Sequence, residues 1–427
     1  MSVRERLTDA LFDVGAIAAT AGTALTGLFR GRRGRVRDHL RRRAIEPIPK
    51  REGEAPCLWL HGVSVGEVLA ARRLIEQFAA AHPSWEVVVS VSTKLGLEAA
   101  LSAYPEHLVV SFPLDLSGRV GRAFDRLRPN LIAIVEHDLW PNFLRTASRR
   151  GVPVALINAR LSERSGARYR AVSRFLSWPP GELAAICAQD DASAGRFSEL
   201  GVPADRIAIT GNLKFDNPAP ATDGLREALG FSESDWLLVA GSTHEGEEEM
   251  ALDALRTARE ADEHTFLVLV PRRTERVAQV ARLIEERGFS HALWSSEPRR
   301  GPDVLLVDTM GELPRICGMG DVVFVGGTLA PVGGHNVIEP ASLGRAIVIG
   351  PHYHKARNVV EDFRRRDAIE IASDSASLVT RIIELKGQPE RAREIGARAR
   401  RTVDDNLGAT ARTLEILECL IPESADT

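Results

Sequence analysis

The sequence predicts an α/β protein built from two doubly wound domains, each a parallel sheet covered by helices on both faces. Two observations carry that prediction. From Cys57 onward, short apolar runs alternate with helix-length patterns, which is how parallel strands joined by crossover helices read. The alternation breaks once, at Asn217-Pro218-Ala219-Pro220-Ala221-Thr222-Asp223-Gly224, and starts again beyond it. Proline and small polar residues at that point read as an interdomain linker. A length of 427 residues suits two or three domains.

In the first half the strand candidates are Cys57–His61, Trp85–Val91, Leu131–Val135, Val154–Ile157, Ala184–Cys187 and Ile207–Ile209, with helices such as Gly66–Ala81 and Gly118–Arg128 between them. In the second half they are Trp236–Ala240, Phe266–Val270, Val304–Val307, Val322–Val325 and Ala346–Ile349, with helices such as Glu245–Arg259 and Arg276–Arg287. Two such domains facing a cleft should gather ligands at the carboxyl ends of their strands. The expected division is a basic amphipathic segment over 1–45, a Rossmann-like acceptor domain over 46–216 and a Rossmann-like donor domain over 217–427.

The segment ahead of the first domain is unusual. Gly15 to Phe29 is mildly apolar, and at about 15 residues it is shorter than the roughly 20 that a spanning helix needs. Arg30, Arg32, Arg33, Arg35, Arg37, Arg41, Arg42 and Arg43 follow, against a single Asp38. Such a segment is expected to lie on, or anchor singly in, the anionic cytoplasmic face of a membrane. The rival reading is a basic tail without structure. The net charge of −3 makes no case for nucleic acid as a partner, and no aromatic residues interleave the arginines. Cys57, Cys187, Cys317 and Cys419 lack metal-ligand or disulfide spacing, which suits a reducing compartment. His335, His352 and His354 match no common ligand set, so no metal is expected.

Chemistry is expected where polar residues meet strand ends. Gly326 to Pro340 joins an apolar run to a helix-like segment and contains Gly326, Gly327, Gly333 and Gly334. Such a loop brings bare backbone and a helix start to an anionic ligand, and Asn336 and Glu339, three apart, suit sugar hydroxyls. A tight turn capped by Asn336 is the plainer alternative. In the first half, His61-Gly62-Val63-Ser64-Val65-Gly66-Glu67 follows a strand and opens a helix, so Glu67 is either dipole-stabilising or a general base. Leu131–Val135 runs into Glu136-His137-Asp138-Leu139-Trp140-Pro141, where Glu136 is the functional candidate and His137 reads as a satisfied structural histidine. Lys214 either carries positive charge to a leaving phosphate or is a solvated surface lysine. Later strand ends offer Gly241 to Glu248, with acids that suit capping, then Pro271-Arg272-Arg273, and Asp308 to Leu313, suited to phosphate. Carboxylates in the first half and phosphate or sugar contacts in the second imply a two-domain glycosyltransferase.

At these residues the sequence resembles the transferases of 3-deoxy-D-manno-octulosonic acid (Kdo) in lipopolysaccharide biosynthesis. The resemblance runs from Trp59 to about Glu361, through His61–Glu67, Glu136–Asn142, Gly211–Asp216, Gly241–Glu248, Pro271-Arg272, Met310-Gly311-Glu312 and Gly333–Pro340. It implies a GT-B fold with an N-terminal membrane-associating helix. It also implies transfer of Kdo from CMP-Kdo to a lipid A precursor at the inner face of the cytoplasmic membrane, with no cofactor or metal. By position, Glu67 would be the base of an inverting displacement, and Glu136 and Lys214 would stabilise the transition state. Pro271, Arg272, Met310, Gly311, Glu312, Asn336, Val337, Ile338 and Glu339 would hold CMP. Where that family shows Glu-Thr-Glu-Leu-Trp-Pro, this chain has Glu136-His137-Asp138-Leu139-Trp140-Pro141. The alternatives are another GT-B enzyme with a different nucleotide sugar, a UDP-sugar epimerase, or a non-catalytic scaffold on the same fold.

Overall fold

The computed structural model describes residues 9–10, 12–15, 43, 48–137, 139–173, 182–217, 219–220, 224–296 and 301–421. Residues 16–42 of the expected membrane-associating segment, and Asp138, fall outside the described residues. Arg43, expected among the lipid-facing arginines, is instead buried and donates to Phe112 O at 3.1 Å and Pro113 O at 3.2 Å. The chain forms two compact units, Met1–Asn217 with Leu407–Thr427, and Pro218–Asn406.

The first unit is a seven-stranded sheet of β1 (Cys57–Gly62), β2 (Glu86–Val91), β3 (Leu108–Ser111), β4 (Leu131–Val135), β5 (Val154–Ala159), β6 (Ala185–Ala188) and β7 (Ile207–Ile209), in the order β3-β2-β1-β4-β5-β6-β7. Every pairing is parallel. Successive residues of a strand feed opposite faces, so β1 sends Leu58 and Leu60 into one core cluster and Cys57 and Trp59 into the other. Trp59 anchors the second, edge-on to Phe124 and Phe143 with ring centroids 5.4 and 4.9 Å away. Its indole N–H donates to Ser90 Oγ at 2.8 Å, so a fully buried Trp leaves no donor unpaired.

The second unit repeats the plan with β8 (Trp236–Thr243), β9 (Thr265–Pro271), β10 (His291–Leu293), β11 (Val304–Leu306), β12 (Val322–Val325), β13 (Ala346–Ile349) and β14 (Glu370–Ile371), ordered β10-β11-β9-β8-β12-β13-β14. Leu238, Ala240, Leu267, Leu269 and Phe324 pack there against Leu252 and Leu255 of the helix Glu247–Ala261 and Leu378 and Ile382 of the helix Ser375–Gly387.

Several expected elements change. The helix expected over Gly66–Ala81 is two, Val65–Ala70 and Arg72–Ala81, divided at Ala71. Edge strands β3, β10 and β14 are additional. The second domain, expected to run to 427, gives up its end: Leu407–Thr427 belongs to the first unit. The reason is apolar burial with a polar lock. Ala409 and Leu417 of the helix Ala409–Glu418 sit in the core cluster with Leu74 and Phe78. Asp216, itself buried, receives the Gly408 N–H at 2.7 Å and the Thr410 N–H. Arg412 Nε donates to Thr210 O at 2.9 Å.

Replacing Asp216 with alanine strands those two amides. It should speed hydrogen exchange at Gly408 and Thr410 and cost about 1–3 kcal/mol of stability, read by amide exchange and denaturant unfolding.

Candidate active site

The strand order of the first unit reverses between the neighbours β1 and β4. Loops leaving those strands turn to opposite faces and open a crevice at the carboxyl ends. Glu67 sits there, in the first turn of Val65–Ala70. The Val63 N–H donates to its Oε2 at 2.7 Å and the Ser64 hydroxyl to its Oε1 at 2.9 Å. The Ser64-x-x-Glu67 spacing is that of a capping box, but here the serine donates to the carboxylate and makes no side-chain cap of its own. The result is a half-buried carboxylate of fixed orientation.

Glu136 follows β4 with φ 67°, a left-handed conformation that glutamate seldom adopts. β5 enforces it: the Glu136 N–H donates to Ile157 O at 2.9 Å, and Glu136 O accepts the Arg160 N–H at 3.3 Å. This turn directs the side chain toward Lys214, whose Nζ lies 3.3 Å from Glu136 Oε1. Lys214 is placed by Asn158, buried near the end of β5 and left-handed at φ 50°, whose Oδ1 accepts the Leu213 N–H at 3.1 Å. Asn158 Nδ2 is buried and has no hydrogen-bond partner among the described residues. The structure thus joins Glu136 to Lys214 and shows the lysine engaged in an ion pair. His137, expected as a satisfied structural residue, is instead 53% exposed with Nδ1 4.0 Å from Glu136 Oε2. It follows a left-handed residue, which turns its ring outward.

In the second unit the order reverses between β8 and β12. β8 ends in a register shift between Gly241 and Thr243, with Ser242 left-handed at φ 55°. A Cβ on Gly241 would stand 2.6 Å from Leu313 Cδ1, so glycine there lets the segment after Met310 close on the strand end. The glycine loop after β12 departs from expectation. Its N–H groups at Gly327, Thr328, Leu329 and Ala330 do not await an anion but donate to the buried carboxylate of Glu247. The acids of that turn are only partly explicable as caps, and no local pattern links Glu247 to a loop some eighty residues away. Asn336 and Glu339 bond to each other, Nδ2 to Oε1 at 3.0 Å, while Asn336 Oδ1 accepts the Ile338 N–H at 3.1 Å. Burial pushes the Glu339 carboxyl above its ordinary range against the pull of the Asn336 amide. Val337 and Ile338 are buried, and the Val337 carbonyl accepts the Ala341 N–H at 3.2 Å.

Around this loop the charge is positive. Pro271 ends β9 buried, and Arg272 beyond it is exposed and pairs with no carboxylate among the described residues. The Arg272 N–H donates to Thr243 O at 3.0 Å, which fixes its backbone beside His244. His244 Nε2 and His335 Nε2 stand 2.9 Å apart, a bond that needs one ring to donate and the other to accept. Burial, then Arg272, His244 and Lys355, lower His335 from 6.5 to about 4, and burial lowers His244 as well. Met310 is 65% exposed, Gly311 is left-handed at φ 90°, and Glu312 lies 3.5 Å from Arg315. No described side-chain contact joins Met310 or Glu312 to Arg272 or Asn336.

The family model for 3-deoxy-D-manno-octulosonic-acid transferase matches residues 34–217. The Haemophilus influenzae 3-deoxy-D-manno-octulosonic acid transferase is 31% identical over 383 residues, 86% of this chain and 88% of the relative. The Chlamydia muridarum enzyme of the same name is 33% identical over 382 residues, 87% and 88% of the two chains. The chain belongs to the Kdo transferase family. It is a glycosyltransferase, and the epimerase alternative shares only its architecture. The solved UDP-GlcNAc 2-epimerase of Neisseria meningitidis aligns with TM-score 0.59 at 13% identity, covering 85% of this chain and 100% of that one. At that identity the likeness establishes the fold alone, a GT-B pair of Rossmann-like units. No described helix of this Kdo transferase is long and apolar enough to cross a membrane.

Because its folded value lies below the ordinary one, His335 favours the fold when neutral. Its contribution is complete above pH 6.5 and is lost as the pH falls toward about 4. Titration of the His335 ring by NMR should give a midpoint near 4.

Proposed function

We propose that this Kdo transferase moves Kdo from CMP-Kdo to a lipid A precursor of the lipid IVA type, with inversion at the anomeric carbon and no metal. The observation that carries the reading is the Glu67 carboxylate, clamped by Val63 and Ser64 where the first sheet reverses. An acceptor hydroxyl has a high pKa and becomes nucleophilic as a carboxylate takes its proton. Glu67 is the only acidic residue in the loop that opens this helix, and a fixed orientation suits a base that must meet one hydroxyl. The acceptor hydroxyl oxygen, its proton passing to Glu67, attacks the anomeric carbon as the bond to the CMP phosphate breaks, and the electron pair leaves with the phosphate.

The departing phosphate gains charge, and preorganised cations stabilise such charge at no cost of reorganisation. Arg272, exposed at the end of β9, is assigned to that phosphate, and Lys214 in its pair with Glu136 to the reacting centre. Pro271, Met310 to Glu312 and Asn336 to Glu339 are assigned to the rest of CMP, through backbone where the side chain is buried. Asp138 replaces the family's usual glutamate beside Glu136. The arginines from Arg30 to Arg42 would hold the enzyme on the inner leaflet of the cytoplasmic membrane, where the acceptor resides, while Arg43 is buried and donates to Phe112 O at 3.1 Å.

The test is purified protein with a tetraacylated lipid A precursor and CMP-Kdo generated in situ, read by mass spectrometry. A product heavier by one or more Kdo residues supports the reading; an unshifted acceptor beside consumed donor refutes it. Glu67→Ala should lower turnover by about 10²–10⁴-fold while CMP binding, followed by calorimetry, stays close to that of the parent. Arg272→Ala should weaken CMP binding by about tenfold, the loss of one charge-assisted contact; an unaltered dissociation constant would remove Arg272 from the phosphate.

A further inference from the structure

The donor unit contains an anion site that is already filled. The carboxylate of Glu247, fully buried, accepts from the N–H groups of His244, Gly327, Thr328, Leu329 and Ala330 at 2.9, 2.7, 3.1, 2.9 and 3.0 Å. A run of backbone donors converging on one point is an anion nest of the kind that holds ligand phosphates. A carboxylate has about four acceptor sites, so these donors saturate it and leave no room for a second anion. The loop is shaped to the carboxylate. Gly327 is left-handed at φ 67°, and a Cβ on Gly326 would stand 2.9 Å from Glu247 Oε2 and 2.6 Å from Ser242 O.

The next residue anchors the other side. Glu248, also buried, takes the Arg276 guanidinium on both oxygens at 2.6 and 3.2 Å. Arg276 belongs to the short turn Thr274–Arg276 that follows Arg272 and Arg273. Consecutive glutamates at the start of Glu247–Ala261 therefore grip two loops, one leading to His335 and Asn336, the other carrying Arg272. The His244 to His335 bond of 2.9 Å lies directly across the part that Glu247 holds.

We propose that Glu247 is a positioning residue for the sugar-nucleotide donor: its carboxylate stands in for a phosphate in the glycine-loop nest and thereby sets Arg272, His335 and Asn336 to receive the donor. The donor's own anionic group then binds outside the nest. This rests on the donor reading of the second unit given above.

The experiment compares the parent protein with E247Q, E247D and E247A. Glutamine keeps the size but turns an NH2 toward backbone donors, and aspartate is too short to reach all of them. Calorimetry with CMP should show binding weaker by about tenfold to a hundredfold in E247Q and E247D, with turnover at saturating CMP-Kdo changed far less than KM. In E247A, added formate or acetate should refill the nest and restore CMP affinity. Independently of any nucleotide, the NMR titration midpoint of His335 should rise in E247Q from about 4 toward 6.5 as the loop loosens. Folded variants with parental CMP affinity and an unmoved His335 midpoint overturn the proposal. Should E247Q or E247A fail to fold, E247D decides by the same two readouts. A parent protein that binds no CMP rejects the donor reading instead, and a shifted His335 midpoint then still supports Glu247 as the holder of the loop.

Discussion

Parallel strands cannot be joined by tight turns, and each must return to its starting edge through a crossover that covers a face of the sheet. Both faces of both sheets are consequently apolar, as Leu58 and Trp59 show by feeding opposite clusters from adjacent positions. Polar chemistry is left only the ends of the strands. At the carboxyl ends the loops diverge wherever strand order reverses, between β1 and β4 and between β8 and β12. Glu67 and Glu136 follow β1 and β4; the Glu247 turn and the glycine loop follow β8 and β12. The placement of these candidates follows from that constraint.

Within those crevices, side chains are aimed by backbone that is itself held in uncommon conformations. Glu136, Asn158 and Ser242 are left-handed without being glycine. Such strain persists only where the surroundings over-determine it. At Glu136 they do, since its amide and carbonyl both bond to the β5 segment. The same economy governs the second unit, where a buried glutamate organises the glycine loop. An unpaired buried carboxylate is costly, and so is a set of unpaired buried amides; placed together each satisfies the other.

The two clamps differ in reach. Glu67 is held by residues three and four positions away, and its Ser64-x-x-Glu67 spacing is visible in the sequence. Glu247 takes one local donor, the His244 N–H, but four from beyond position 326, and the pairing of Glu136 with Lys214 likewise joins segments with three strands between them in the chain. Contacts of the first kind are legible from a string of letters; those of the second depend on strand order.

That difference separates what the sequence determined from what tertiary structure decided. Apolar runs named most central strands of both sheets, three of them (β4, β12 and β13) to the residue, because burial on both faces leaves an unbroken signature. Of the four edge strands, β7 was named to the residue, while β3, β10 and β14 escaped. The motifs also named Glu67, Glu136, Arg272 and Asn336 as candidates and, through their order along the chain, the family. Only the fold showed that the last helix, Ala409–Glu418, belongs to the first unit through Asp216, that His137 faces solvent and that Glu247 fills the loop expected to meet an anion. Those facts arise from hydrogen bonds between distant segments, where each donor takes whichever acceptor the packed core brings within reach, and periodicity carries no record of that choice.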